Sequence, residues 1–106
     1  MIFRVWQGRT PLHLGDRYAQ FLQERAIPDY RRIAGNLGVT ILRRDADEVS
    51  HFMIVTSWES LEAIRAFAGE PIDRAKYYDE DSGFLLEFEP HVLHYDTVAQ
   101  AGTPGV

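Results

Sequence analysis

The chain of 106 residues has no cysteine and carries 11 basic against 16 acidic side chains, which gives a net charge of −5. This length suits one domain with a single core, the missing cysteines exclude disulfides and thiolate metal sites, and the acidic balance argues against nucleic acid as a partner. No apolar run approaches the roughly 20 residues of a membrane span, and the first residues lack a secretory signal pattern. We therefore expect a cytoplasmic protein with no membrane partner.

The first third of the chain predicts a strand and a two-part helix. Ile2–Thr10 alternates β-branched and aromatic residues with polar ones, which is typical of a strand. Asp16 is a suitable N-cap for a helix over Asp16–Ala26. Pro28 is expected to interrupt that helix and open a second helical segment.

The middle of the chain predicts a hairpin followed by a helix. Val39–Arg44 and His51–Trp58 have strand patterns and are joined by an acidic connection. Ser60 is a good N-cap for the following helix, and Gly69 is placed to end it. Within that helix an apolar stripe recurs at three and four residues: Leu61, Ile64, Phe67 and Ala68.

The last third begins with an aromatic-rich excursion, Ile72–Phe84, which is too long for a plain turn. A final strand is predicted over Glu89–Val98. We expect one domain over residues 1–97 and a frayed tail over residues 98–106.

This order of elements, β-α-β-β-α-β, predicts an α+β, ferredoxin-like fold with a four-stranded antiparallel sheet. Two helices would cover one face of that sheet. Large apolar residues are also predicted on the other face, where they would be exposed in a monomer. We therefore expect a homodimer whose sheets pack face to face.

Several stretches of the sequence resemble the antibiotic biosynthesis monooxygenase-like domains of the dimeric α+β barrel group. They are Trp58-Glu59-Ser60, the run Leu61 to Gly69, Ala75-Lys76-Tyr77-Tyr78 and the ending His94-Tyr95. The resemblance covers about residues 1–97 and implies a homodimer with a ligand cavity in each subunit, between helices and sheet. The nearest subgroup is mostly of unassigned function.

Two branches of that family imply different activities. One oxidises quinol-like aromatic substrates with O₂ and needs neither metal nor flavin. Trp58 matches the tryptophan that such enzymes carry near the site, and Tyr77 and Tyr78 would be pocket phenols. The other branch degrades haem with a strand-one asparagine, a strand-three tryptophan and a histidine on the second helix. Gln7 stands near the asparagine position, but Leu61–Ala68 has no histidine, which argues against haem degradation.

These considerations select candidate site residues, with no cofactor and no metal site expected. The catalytic candidates are Trp58, which can stack on a flat substrate, and His94, whose imidazole can accept a phenolic proton. The residues expected to bind substrate are Trp6, Tyr77, Tyr78, Phe67 and Arg4.

Each candidate also has a structural interpretation. Trp58 can simply anchor the second helix in the core, and His94 can hydrogen-bond a neighbouring group. Arg4, among apolar neighbours, needs an anionic partner, for which an ion pair with Glu87 or Glu89 is favoured over a substrate carboxylate. The acidic run that includes Glu80 and Asp81 is expected to be solvated.

Three functional hypotheses follow. A cofactor-independent monooxygenase, or a related small-molecule enzyme, predicts a cavity on the order of several hundred Å³ bordered by Trp58, Tyr78 and His94. A non-catalytic dimer, which binds a small ligand or serves a structural role, predicts a filled interior. A haem-binding protein predicts a porphyrin slot in which His94 would hold the iron.

Overall fold

The computed structural model describes residues 1–102, and residues 103–106, the end of the predicted tail, lie outside the described part. The main elements are β1 (Ile2–Pro11), α1 (Gly15–Phe21), a π-helical turn (Leu22–Ala26), α2 (Ile27–Arg31), β2 (Asn36–Ala46), β3 (Val49–Trp58), α3 (Leu61–Ala68) and β4 (Leu93–Asp96). Short 3₁₀ turns lie at Leu12–Leu14 and Asp79–Gly83.

The four strands form one antiparallel sheet in the order β2-β3-β1-β4. The helices pack on one face of it, so the predicted ferredoxin-like α+β fold is confirmed. We call the covered side the helix-side face and the opposite side the outer face. On β3 the alternation is strict, because Phe52, Ile54, Thr56 and Trp58 are buried while their neighbours are partly exposed.

The helix α3 has the predicted limits. The hydroxyl of Ser60 accepts a hydrogen bond from the backbone N–H of Ala63 at 3.2 Å, and the chain leaves the helix at Gly69 with a φ of 77°. The N-cap, the apolar face and the terminating glycine all lie within the ten residues from Ser60 to Gly69. The limits of this helix can therefore be predicted from local sequence.

The first helical region differs from its prediction. The helix begins at Gly15, and Asp16 caps nothing; it accepts a hydrogen bond from Arg43 instead. Pro28 does not interrupt the helix. It lies in the first turn of α2, where a missing N–H costs no hydrogen bond, and the π-helical turn carries the backbone there without a break.

The last strand is shorter than predicted. Only Leu93–Asp96 pairs with β1, whereas the residues before it bond to the excursion: the N–H of Val92 donates to Asp73, and His91 forms a bridge with Arg74. We call residues 69–92 the wall segment, because they close one side of the space between helices and sheet. Residues 98–102 contain no regular secondary structure.

Candidate functional site

A small cavity lies between the helices, the helix-side face of the sheet and the wall segment. Its lining combines apolar, phenolic and charged side chains: Arg4, Trp6, Tyr18, Leu22, Ala26, Tyr30, Ile54, Phe67, Lys76, Tyr77, Tyr78, Asp81 and Val92. The five residues predicted to bind substrate are all among them. The two residues predicted to be catalytic, Trp58 and His94, are not.

This cavity is much smaller than the enzyme hypothesis predicts. The space that the centre of a water-sized sphere can reach is about 20 Å³, which is room for roughly one water molecule. The volume is small because the rings of Tyr77 and Tyr78 turn inward from the wall segment and hydrogen-bond to the opposite wall.

Trp6 lies on β1 and anchors one end of the wall segment. Its Nε1–H donates to the hydroxyl of Tyr77 at 3.2 Å, and that hydroxyl donates to the carbonyl of Glu89 at 2.6 Å. The indole also lies over Gly8, where a Cβ would come within 2.2 Å of the ring. A glycine two residues along the strand is therefore what lets this tryptophan lie flat against the sheet.

Among residues 1–102, Asp81 is the one carboxylate on the cavity wall. It is 3% exposed; its Oδ1 accepts the hydroxyl of Tyr18 at 3.0 Å, and its Oδ2 accepts the backbone N–H of Tyr78 at 2.7 Å. Burial raises its pKa, with a smaller contribution from the charge of Glu80, while the two hydrogen bonds act in the opposite direction. The expectation that this acidic run is solvated is wrong for Asp81.

Asp29, on α2, joins the helical layer to the wall segment. Its Oδ2 accepts the hydroxyl of Tyr78 at 2.6 Å and the ammonium of Lys76 at 3.1 Å, and its Oδ1 accepts Arg32 at 2.7 Å. Burial raises the pKa of this carboxyl group, but the three donors outweigh it and hold the pKa below its ordinary value. No local pattern in the sequence indicates that this aspartate is buried.

Arg4 is 3% exposed, and its guanidinium donates to the carbonyls of Ile72 and Arg74. The expected ion pair with Glu87 or Glu89 does not form. Glu87 instead pairs with Arg9 on the outer face at 2.6 Å. Side chains alternate between the two faces along a strand, so Arg9, five residues after Arg4, lies on the opposite face from Arg4. Within residues 1–102 no carboxylate oxygen lies within 4.0 Å of the Arg4 guanidinium.

His94 lies directly across from Arg4 on β4. The guanidinium of Arg4 contacts the Nε2 of His94 at 3.2 Å. Since a guanidinium has no acceptor, Nε2 must accept, which leaves the imidazole neutral with its proton on Nδ1. Burial and the charge of Arg4 both lower the pKa of His94, whereas Asp73 raises it slightly.

Trp58 is fully buried at the end of β3. Its Nε1–H donates to the hydroxyl of Thr56 at 2.8 Å, and its ring packs against Tyr30 and Phe67. Trp58 thus supports two cavity-lining rings from behind. The catalytic roles assigned to Trp58 and His94 remain predictions.

The described residues contain no group of three or more His, Cys, Asp or Glu side chains arranged to hold a metal ion. None of the helices within residues 1–102 is long and apolar enough to cross a membrane.

Neither a protein-family model nor a curated protein matches this chain. Solved structures do. The haem-free heme-degrading protein Rv3592 of Mycobacterium tuberculosis is 22% identical with a TM-score of 0.65, and the match covers 95% of this chain and 98% of that one.

Two forms with porphyrins bound, one with haem and one with manganese protoporphyrin IX, are about equally similar. MhuD (Rv3592) with two hemes in its active site is 23% identical with a TM-score of 0.66, over 96% of this chain and 100% of that one. An MhuD variant with two manganese protoporphyrin IX molecules per active site is 21% identical with a TM-score of 0.66, over 97% and 100%. At this identity the similarity establishes the shared fold.

Proposed function

We propose that this protein binds a small planar aromatic molecule of the quinol type between its helices and sheet, and oxidises it with O₂ without a metal or flavin. The observation that carries the proposal is the buried Asp81–Tyr18 pair on the cavity wall. Pockets that perform chemistry combine an apolar lining with a few polar groups, and a carboxylate with a raised pKa among them is a natural proton acceptor.

In the proposed reaction Asp81 accepts the proton of a substrate hydroxyl, and the electron-rich anion that remains transfers electrons to O₂. A quinol and O₂ then give a hydroxyquinone and water, so no other reductant is needed. The protein contributes orientation by the rings of Trp6 and Phe67, proton transfer at the Asp81 carboxylate and exclusion of bulk water.

A quinol ring is far larger than one water molecule, so the wall segment must move for substrate to enter. Regular structure within it amounts to one 3₁₀ turn and one isolated bridge. Three side-chain hydrogen bonds hold much of it against the helices and sheet: Tyr77 accepts from Trp6, and Tyr78 and Lys76 both donate to Asp29. Segments held in this way open at a lower free energy than a strand inside a ladder.

The test is O₂ consumption with hydroquinone and substituted hydroquinones. We expect the wild-type protein to consume O₂ in the presence of at least one of them, and Asp81→Asn to lose about 100-fold or more in rate. The matched control is Asp79→Asn, an exposed aspartate two residues away, which should keep the wild-type rate.

The same assay, applied to variants of His94 and Trp58, tests the roles predicted for these two residues and the non-catalytic hypothesis. A loss of turnover in His94→Ala with full activity in Asp81→Asn would move the base to His94. Trp58→Phe should lower stability without changing the Michaelis constant, because Trp58 does not line the cavity. Ligand binding without O₂ consumption would favour the non-catalytic dimer, and a wild-type protein that neither binds nor oxidises any quinol would refute the proposal.

Haem is the second candidate ligand, because the similar structures include a heme-degrading protein with two hemes bound in its active site. The residues present do not fit it: the described cavity lining has no histidine, and the Nε2 of His94 is engaged by Arg4. We therefore expect no shift of the haem Soret band on titration with the protein. Saturable binding of one or two haems would favour haem over a quinol.

A further inference from the structure

Arg4 carries a buried charge that has no ion-pair partner within 4.0 Å among residues 1–102. Buried charges in proteins are normally paired with an opposite charge, because dipoles alone offset only part of the desolvation cost. The direct contacts of Arg4 are all dipoles: two backbone carbonyls, contributed by Ile72 and Arg74, and the neutral imidazole of His94. The carboxylate of Asp73 acts on the guanidinium from beyond 4.0 Å and offsets only part of the burial effect that lowers its pKa. Its guanidinium has five N–H donors, and these contacts use three.

The charged side chain of Arg4 lies at the cavity. Its side chain lines the cavity from the floor formed by β1, and it lies 5.8 Å from the ring of Phe67. The second cation on the cavity wall, Lys76, is already matched by Asp29 at 3.1 Å. The carboxyl group of Asp81 is bonded to Tyr18 and the backbone of Tyr78. Of the two cations among the described residues of the wall, Arg4 is therefore the one without a carboxylate partner.

We propose that Arg4 is an anion-binding residue, and that the ligand of this cavity is an aromatic molecule with a carboxylate, such as a hydroxylated benzoate, rather than a neutral quinol. This rests on the proposed function in that it uses the same cavity and the same ring-binding residues. The carboxylate accepts the free N–H donors of the guanidinium while the ring lies against Phe67. A charge-assisted hydrogen bond of this kind is about twice as strong as a neutral one.

His94 provides a readout at this site that does not depend on turnover. Together with burial, the positive charge of Arg4 lowers the pKa of the His94 imidazole, and the negative charge of Asp73 raises that pKa by a smaller amount. An anion bound to Arg4 offsets that positive charge, so the pKa of His94 rises on binding. A neutral ligand leaves the charge of Arg4 in place and has no such effect.

The experiment compares a dihydroxybenzoate, its methyl ester and hydroquinone on the wild-type protein. Calorimetry gives the three affinities, and an NMR titration follows the imidazole signals of His94 with and without each ligand. We expect the carboxylate to bind about tenfold or more tightly than its ester, and to raise the pKa of His94 where the ester does not.

Two variants assign the preference to Arg4. Arg4→Met should reduce the affinity for the carboxylate to that of the ester. The control Arg9→Met lies on the same strand but faces outward, paired with Glu87, and should keep the wild-type preference. If Arg4→Met does not fold, the comparison of acid and ester on the wild-type protein still decides the matter.

The outcomes separate this proposal from the oxygenase proposal. Equal affinity for acid and ester, or an unchanged pKa of His94, overturns the role of Arg4 even if hydroquinone is oxidised with O₂. A carboxylate preference that Arg4→Met abolishes, without O₂ consumption by any ligand, supports the anion site and refutes the oxygenase.

Discussion

At the scale of single residues, Asp29 links the helical layer to the wall segment through one carboxyl group. Its donors are Arg32, directly after α2, and two residues of the wall segment, Lys76 and Tyr78. Because the folded state depresses the pKa of Asp29, its carboxylate contributes stability that is fully present above the ordinary aspartate pKa, about 3.9. That contribution is lost as the pH falls through the depressed pKa.

We predict that Asp29→Asn lowers the free energy of unfolding at pH 7 by about 1–3 kcal/mol, since the amide offers one acceptor where the carboxylate serves three donors. The difference between variant and wild type should shrink below about pH 4, because Asp29 of the unfolded wild-type chain then takes up a proton while the folded state still keeps the carboxylate ionised. Urea denaturation at pH 7 and pH 3 measures both effects.

Asp47→Asn is the control for this prediction. Asp47 is exposed in the β2–β3 turn with a φ of 55°, a conformation that asparagine adopts readily, so its substitution should change stability by less than about 0.5 kcal/mol. A difference between Asp29→Asn and wild type that stays constant from pH 7 to pH 3 would contradict the assigned role of the carboxylate.

The buried aspartates mark the limit of what sequence could predict at this scale. Arg4, Trp6 and the tyrosine pair follow from strand alternation and from an excursion that is unusually rich in aromatics. Asp81 and Asp29 do not, because their partners are distant: Asp81 meets Tyr18 across 63 residues of sequence, and Asp29 meets Tyr78 across 49. A run of three acids gives no local signal for which member turns inward.

At the scale of elements, the wall segment decides whether the cavity is open. Within the wall segment, the hydroxyl of Tyr78 donates a short hydrogen bond of 2.6 Å to Asp29. Because burial raises the pKa of Tyr78, its phenol remains protonated and stays a donor at neutral pH. Removing that donor leaves the carboxylate of Asp29 with fewer partners and should weaken the closed arrangement.

We predict that Tyr78→Phe increases the rate of backbone hydrogen exchange in residues 74–85 by about fivefold, which corresponds to a loss of about 1 kcal/mol in local opening free energy. Exchange in β1 and β3 should not change. Tyr95→Phe, at a 53% exposed position on the outer face, is the control and should leave exchange in the wall segment at the wild-type rate. Faster exchange throughout the molecule would instead indicate global destabilisation.

Elements differ in how well the sequence predicted them, for a physical reason. The limits of α3 follow from a cap, a stripe and a glycine that are neighbours in the chain. The length of β4 depends on competition between β1 and the wall segment for the same backbone groups. That competition is decided by tertiary contacts, so the pattern of Glu89–Val98 alone predicted too long a strand.

At the scale of the whole molecule, the outer face of the sheet remains uncovered in the single chain. One row of paired residues crosses all four strands: Thr40, Val55, Val5 and Leu93. Above and below it are Leu42, Met53, Phe3 and Tyr95, and several of these side chains are about half exposed. A contiguous apolar surface of this kind is typical of a protein–protein interface.

We propose that two copies pack through this face, and predict that the wild-type protein sediments as a dimer. Val55→Asp puts a charge at the centre of the row and should give a monomer, because an unpaired carboxylate cannot be buried there. Val98→Asp introduces the same change at a 99% exposed position and should remain dimeric. A wild-type protein that still sediments as a monomer at a concentration of about 100 μM would contradict the proposal.

The π-helical turn at Leu22–Ala26 has a consequence for comparing this chain with other proteins of the same fold. Such a turn is equivalent to one residue inserted into an α-helix, and each residue rotates an α-helix by about 100°. Here the insertion keeps Tyr18, Leu22, Ala26 and Tyr30, spaced by four, on the side of the cavity. A relative that lacks one residue in this stretch would keep both helical ends but turn one of them away from the site. Single-residue gaps in an alignment at this point therefore separate proteins with different pocket walls, even where the remaining sequence is similar.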